Sequence, residues 1–143
     1  MFKKKMLISA LLLASLASTM SCKKKDDPAP SGSTEITGKN WKLKSLTLNG
    51  SDASSTVPAC SKDDYQTFKS DGTYTITDAG TKCTGTDPAD YSGEWKLINN
   101  NTKFVEDGDT SNVEQLTATT FSYSQTETGN GVTVKYVTTL TTQ

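Results

Sequence analysis

The chain reads as an all-β protein, an eight-stranded antiparallel up-and-down β-barrel that follows an export signal and a flexible tether. Three observations predict it. From Trp41 onward, short runs rich in Thr, Val, Tyr, Phe and Trp alternate with turn clusters, and no amphipathic helical run of useful length interrupts them. Consecutive runs are joined at Ser70-Asp71-Gly72, Asn99-Asn100 and Asn130-Gly131, turn signals short enough to make each pair an antiparallel hairpin. The apolar and aromatic residues of successive runs share one parity, and closing the sheet on itself buries that face while removing the exposed edges. An open β-sandwich of the same strands is the alternative.

The N-terminal segment comes first in the chain and sets its compartment. Lys3, Lys4 and Lys5 precede an apolar run from Met6 to Ala17. A membrane-spanning helix needs roughly 20 apolar residues, so this shorter run fits the central part of a signal peptide spanning residues 1–21. Ser18-Thr19-Met20-Ser21 then leads to Cys22 in a pattern that resembles a bacterial lipobox, with Thr19 standing where Leu is usual. The resemblance implies that Cys22 is lipidated and anchors the protein in a membrane. Ordinary cleavage between Ala17 and Ser21, leaving Cys22 a spare thiol, is the other outcome. One acyl chain holds a protein marginally and two or more hold it stably, and a bacterial lipoprotein carries several. Residues 22–33, with Lys23-Lys24-Lys25-Asp26-Asp27 followed by a Pro-, Gly- and Ser-rich stretch, read as the tether. The Lys-Asp-Asp step resembles the signal that sends Bacteroidota lipoproteins to the outer face of the outer membrane, although charges that merely solvate a linker would look the same. The expected location is the outer membrane, lipid-anchored and facing the cell surface.

The domain occupies residues 34–143. Ser33 to Asn40 forms one irregular or helical turn that closes an end of it. In Trp41 to Leu48, Trp41 and Leu43 have one parity and Leu46 and Leu48 the other, so a bulge between them is needed to restore a common inward face. After a polar loop from Asn49 to Ala59, Asp63 to Lys69 pairs with Thr73 to Asp78, setting Phe68 opposite Tyr74 and Gln66 opposite Ile76. The same ladder extended outward nearly aligns Cys60 with Cys83. With export to an oxidising compartment and Cys22 lipidated, only that pairing remains, and a Cys60–Cys83 disulfide is expected. Two buried thiols are the alternative, and two thiolates without His make an incomplete metal site.

A loop from Gly85 to Asp90 leads to Tyr91 to Ile98 and Thr102 to Glu106, joined at Asn99-Asn100 so that Trp95 lies beside Phe104, both inward. Glu106 to Thr110 reads as an acidic turn, followed by Asn112 to Thr117 and Thr120 to Glu127. The final turn at Asn130-Gly131 places Phe121, Tyr123 and Gln125 on the face of Val132, Val134, Tyr136, Thr138 and Leu140. The interior is then expected to hold Phe68, Tyr74, Ile76, Trp95, Phe104, Phe121, Tyr123, Val134, Tyr136 and Leu140.

Composition excludes several function classes. Removing residues 1–21 from the 143 takes away three lysines and no acid, leaving 12 lysines against 16 acids and a net charge of −4. Nucleic acid is therefore not an expected partner. The chain contains no His and no Arg, so His-dependent triads, the usual zinc sites and bidentate clamps on phosphate are missing. Asp107-Gly108-Asp109-Thr110-Ser111-Asn112 hints at a calcium loop, but Asn112 and Ala118 stand where Gly and a bidentate Glu belong. Asp63-Asp64 and the pair Asp87 and Asp90 could in principle act as acid and base, yet nothing raises one carboxylate against its neighbour. No catalysis, metal or other cofactor is expected.

Gly38-Lys39-Asn40-Trp41-Lys42-Leu43 resembles the lipocalin-type opening strand, with one residue more than the usual Gly-x-Trp spacing. Gly93-Glu94-Trp95 has that spacing but falls in mid-domain. Together with Cys60, Asp63-Asp64-Tyr65, Phe68, Ser70-Asp71-Gly72-Thr73-Tyr74 and Lys82-Cys83, residues 36 to 140 are similar to the lipocalin-like domains of Bacteroidota lipoproteins. The resemblance implies a barrel and a non-enzymatic binding role, for a monomer taking a small apolar or amphipathic ligand. The candidate lining is Trp41, Phe68, Tyr74, Trp95, Phe104, Tyr123 and Tyr136. An eight-stranded barrel has room for its own side chains or one small ligand, so Trp41 and Trp95 serve either as core or as cavity wall. A filled core would instead suit a surface interaction or inhibitor module using loops such as Asn49 to Ala59.

Overall fold

Nine strands in one antiparallel sheet, with the first barrel strand hydrogen-bonded to the last, make up the computed structural model, which describes residues 33–83 and 90–143. The signal segment, Cys22, the tether up to residue 32, and Asp87 lie outside the described residues. A short helix α1 (Ser33–Ile36) leads into β1 (Asn40–Leu48), a two-residue strand β2 (Ser51–Asp52), a 3-10 turn (Ser54–Thr56) and a second short helix α2 (Ala59–Lys62). Then follow β3 (Tyr65–Phe68), β4 (Thr73–Thr77), β5 (Asp90–Ile98), β6 (Lys103–Glu106), β7 (Asp109–Leu116), β8 (Thr120–Gly129) and β9 (Val132–Thr142). Strands β3 to β9 pair in simple succession, while β1 pairs with β3 on one side and β9 on the other, closing an eight-stranded barrel. Strand β2 is a flap on the far end of β1. Among the described residues no helix is long and apolar enough to cross a membrane.

The bulge required in β1 is present, between Leu43 and Ser45 against β9. The β3–β4 ladder sets Phe68 opposite Tyr74 and Gln66 opposite Ile76, and β8–β9 sets Phe121 opposite Leu140 and Gln125 opposite Tyr136. The β5–β6 register differs from expectation. Trp95 lies opposite Glu106, and Leu97 opposite Phe104. Asn99, Asn100 and Asn101 all adopt positive φ, a conformation asparagine tolerates, and they lengthen the connection. The ladder slips by two residues, which preserves the facing of every side chain. The acidic turn is also shorter than expected: only Asp107 and Gly108, both at positive φ, separate Glu106 from its partner Asp109. Val134 and Val132 fall outside the core, because β9 leaves β1 at the pair Leu48–Tyr136 and its first residues pair with β8 alone. Val132 is 62% exposed.

In such a barrel alternate turns share an end. One end holds the start of β1, the turns after β3, β5 and β7, and the chain terminus. It is sealed. Ile36 in α1 is fully buried and its carbonyl accepts a 2.7 Å hydrogen bond from Trp41 Nε1. Gly38, at φ 70°, turns the chain so that its N–H reaches the Phe68 carbonyl at 3.0 Å. Lys39 Nζ donates to the carbonyls of Glu35 and Ala118, tying α1 to the β7–β8 turn. Above this plug, Phe68 packs edge-on against Trp95, Phe104 and Phe121 at centroid distances of 5.2, 5.7 and 6.0 Å. Burying each such ring contributes roughly 1.5–3 kcal/mol, and each aromatic pair about 0.5–1.5 more.

Candidate functional site at the barrel mouth

An inward side chain in a closed barrel can meet water only through an open end. The aromatic floor made by Trp41, Phe68, Trp95, Leu97, Phe104 and Phe121 is buried. Farther along the same inward face, toward the end that holds the β1–β2, β6–β7 and β8–β9 turns, Leu46, Gln66, Ile76, Tyr123 and Thr138 are only partly buried. That end, which also carries α2 and the segment after β4, is the candidate mouth, and these residues face inward below it, Ile76 and Tyr123 packing on the floor.

The parity that makes Phe104 inward also turns Glu106 into the lumen. Its carboxylate accepts a short hydrogen bond from Gln66 Nε2. Gln66 belongs to β3 and Glu106 to β6, with two strands between them in the sheet, so this bond crosses the lumen instead of running along the wall. Burial pushes the Glu106 carboxyl above the usual carboxylate range, the Gln66 hydrogen bond opposes that, and the charge of Asp107 adds to it.

Nearer the rim, Asp107 Oδ2 accepts hydrogen bonds from Tyr74 Oη at 2.6 Å and Tyr91 Oη at 2.9 Å, while Oδ1 accepts from the Glu94 backbone N–H at 2.8 Å. These donors hold Asp107 below the usual carboxylate range, Tyr74 contributing most. The arrangement requires Gly93. A Cβ there would stand 2.3 Å from Asp107 Oδ1 and 2.6 Å from Tyr74 Cε1. Burial, followed by the Asp107 hydrogen bond, raises the pKa of Tyr74, and burial with the Glu106 charge raises that of Tyr123, so both phenols stay neutral and Tyr74 donates to Asp107.

Of the residues expected to line a ligand site, Trp41, Phe68 and Phe104 are parts of the sealed floor. Trp95 spends its indole N–H on the Lys69 carbonyl at 3.0 Å. Tyr74 and Tyr123 carry the lining up toward the mouth, and Tyr136 sits opposite Leu48 and Gln125 at the rim. Sequence reasoning passed over Gln66, Tyr91, Glu106 and Asp107 as lining groups, although the parity of Gln66 with Phe68 and of Glu106 with Phe104 carried the signal. Cys60 and Cys83 are bridged, with Cα atoms 5.0 Å apart, and fasten α2 to the segment after β4. Asp63 and Asp64 lie beside them. Asp63 Oδ2 accepts the Thr81 N–H at 2.8 Å, and among the described residues no three His, Cys, Asp or Glu side chains converge as a metal would require. A separate cleft of about 390 Å³ touches Thr73, Glu94, Lys96 and Val105. Those four have outward parity, so it lies on the outer wall.

Ionised Glu106 in the lumen has a consequence for stability. A carboxyl whose folded pKa is raised contributes stability that is fully present below its unfolded value, near 4.5, and lost as pH rises through the folded value. Glu106→Gln keeps the group neutral. The variant should melt above the parent at pH 7–8, with the difference vanishing as pH falls below 4.5. An equal difference at both pH values in thermal melts would refute the lumen position of the charge.

Comparison with known proteins agrees with the geometry. The family model for a lipocalin-like domain matches residues 36–127, from the end of α1 into β8. No curated protein matches the chain. Strand β9 lies beyond the matched residues, and the barrel's closure is shown by its pairing with β1.

Proposed function

The chain belongs to the lipocalin-like domain family, and from that premise we propose that it is a cell-envelope lipoprotein whose barrel binds a small apolar or amphipathic molecule through the mouth. The observation that carries this reading is the graded lumen. A floor of tightly packed rings gives way to inward Leu46, Ile76 and Tyr123 that remain partly exposed inside a closed wall. Concave, mostly apolar lining with a few convergent polar groups is what small-molecule sites offer. The polar groups here are Glu106, Gln66 and the two tyrosines held by Asp107.

The lipid anchor at Cys22 is part of the same proposal. The chain enters the barrel through α1 at the sealed end, which supports a mouth pointing away from the anchor and toward solvent. Cys22→Ser should move the protein from the membrane to the soluble fraction. Continued membrane association, with processing still after residue 21, would refute the lipoprotein reading.

Ligand binding is tested with N-phenyl-1-naphthylamine, a neutral apolar fluorophore excited by energy transfer from Trp95 and Trp41. Saturable one-to-one binding that an apolar competitor displaces is expected. Non-saturable or absent transfer would favour the second reading, a surface interaction module. The observations on that side are the hairpin of β8 and β9 beyond the barrel wall and the exposure of Val132.

A further inference from the structure

The lumen holds a carboxylate and no positive side chain among the described residues. Lys42, Lys96, Lys103 and Lys135 all have outward parity on their strands, Lys44 is exposed in the β1 bulge, Lys39 and Lys69 lie at the sealed end, and Lys62 and Lys82, at the mouth end, are exposed on α2 and on the segment after β4. The two ion pairs of the described residues, Lys82–Asp78 and Lys135–Glu114, leave Glu106 out. Its hydrogen-bond partner is the neutral Gln66 amide, and an ionised carboxylate has about four lone-pair sites to fill. Asp109 is its cross-strand neighbour and Asp107 follows it in the chain, so the mouth carries negative charge in depth.

Two phenol rings, Tyr74 and Tyr123, lie close enough to feel its charge, and a third, Tyr91, stands at the rim with 48% of its surface exposed. Tyr74 and Tyr91 are 6.0 Å apart between centroids, and Tyr123 rests 5.0 Å from Phe104, the neighbour of Glu106 on the inward face of β6. A partly buried carboxylate beside tyrosine rings attracts an organic cation through charge, and the rings add their quadrupoles where the cation lies over them. A fatty acid or other anionic headgroup would find like charge and no counter-ion there.

Resting on the reading of the lumen as a ligand site, we propose that the molecule it takes is a cationic amphiphile. Its ammonium group meets Glu106 beside Tyr74, Tyr91 and Tyr123, and its apolar body lies along Ile76 above the aromatic floor. Within the fold this gives a role to an inward acid whose hydrogen-bond partner is the neutral Gln66 amide. The ligand's charge offsets the cost of keeping Glu106 ionised.

The test uses three water-soluble probes with one body and different heads: 4-phenylbutylamine, 4-phenylbutanol and 4-phenylbutyrate. Each is titrated into the full chain and into its Glu106→Gln variant at pH 7, followed by tryptophan fluorescence and calorimetry, with near-UV circular dichroism confirming the fold of each. The amine is expected to bind at least tenfold more tightly than the alcohol, and the carboxylate more weakly than either. Glu106→Gln should abolish the preference for the amine while leaving the alcohol bound, and Lys103→Gln on the outer wall should change nothing. Equal binding of amine and alcohol, or tighter binding of the carboxylate, would overturn the charge assignment and leave the lumen reading intact. Failure of all three to bind would overturn both.

Discussion

Phe68→Ala is expected to destabilise the domain by about 3–5 kcal/mol, the range found when a buried aromatic is truncated to leave a cavity. Phe68 is fully buried at the centre of the floor, where four rings, Tyr74, Trp95, Phe104 and Phe121, surround it from four strands of the barrel. Its backbone is also committed, since the Phe68 carbonyl receives Gly38 N–H and bridges to Thr37. The neighbours cannot collapse into the vacated space without breaking the plug. Small domains have about 5–15 kcal/mol in all, so the variant should lose a large share of that stability. Urea unfolding followed by tryptophan fluorescence measures the loss, and a change below about 1 kcal/mol would contradict the packing described for Phe68.

Removing the Cys60–Cys83 bridge should cost about 3 kcal/mol on the chain-entropy account, given a sequence separation of 23 residues. The bridge closes a loop that contains the whole β3–β4 hairpin, so without it the unfolded chain regains the freedom that hairpin formation must remove. Cys60→Ser with Cys83→Ser is the appropriate variant, because a single substitution leaves one thiol to react. In the Cys22→Ser chain, unfolded without reductant, thiol titration should find no reactive group. Two reactive thiols would refute the bridge. A double variant as stable as the parent would show that residues 60 and 83 are already held together by the hairpin.

Strand parity, turn residues and the order of the strands were legible because each depends on residues close together in the chain. Alternation put Phe68, Tyr74, Phe121 and Leu140 on one face, Asn130-Gly131 set the β8–β9 register, and the misfit between Leu43 and Leu46 announced the β1 bulge. Even the disulfide followed from extending one local ladder. The sequence was less informative where two local solutions were equally good. A run of three asparagines can turn after two residues or after four, with the same side chains inward either way, and only the folded sheet shows the longer turn. Val134 has inward parity, but parity does not reveal that β1 ends too soon to cover it.

The site required more still. Gln66 and Glu106 are 40 residues apart on strands that never pair, and they meet because eight strands closed into a ring narrow enough for two side chains to reach across. Asp107, Tyr74 and Tyr91 converge over Gly93 through the pairing of the neighbouring strands β4, β5 and β6. By itself the sequence determined the strand class, the order, the inward faces and the cysteine pair, since hydrogen-bonding period and turn chemistry are local properties. Only the tertiary structure decided which end was sealed, how far the core reached and which acid was left in the lumen. Those depend on ring closure and on the distance across the barrel, which no stretch of residues carries alone.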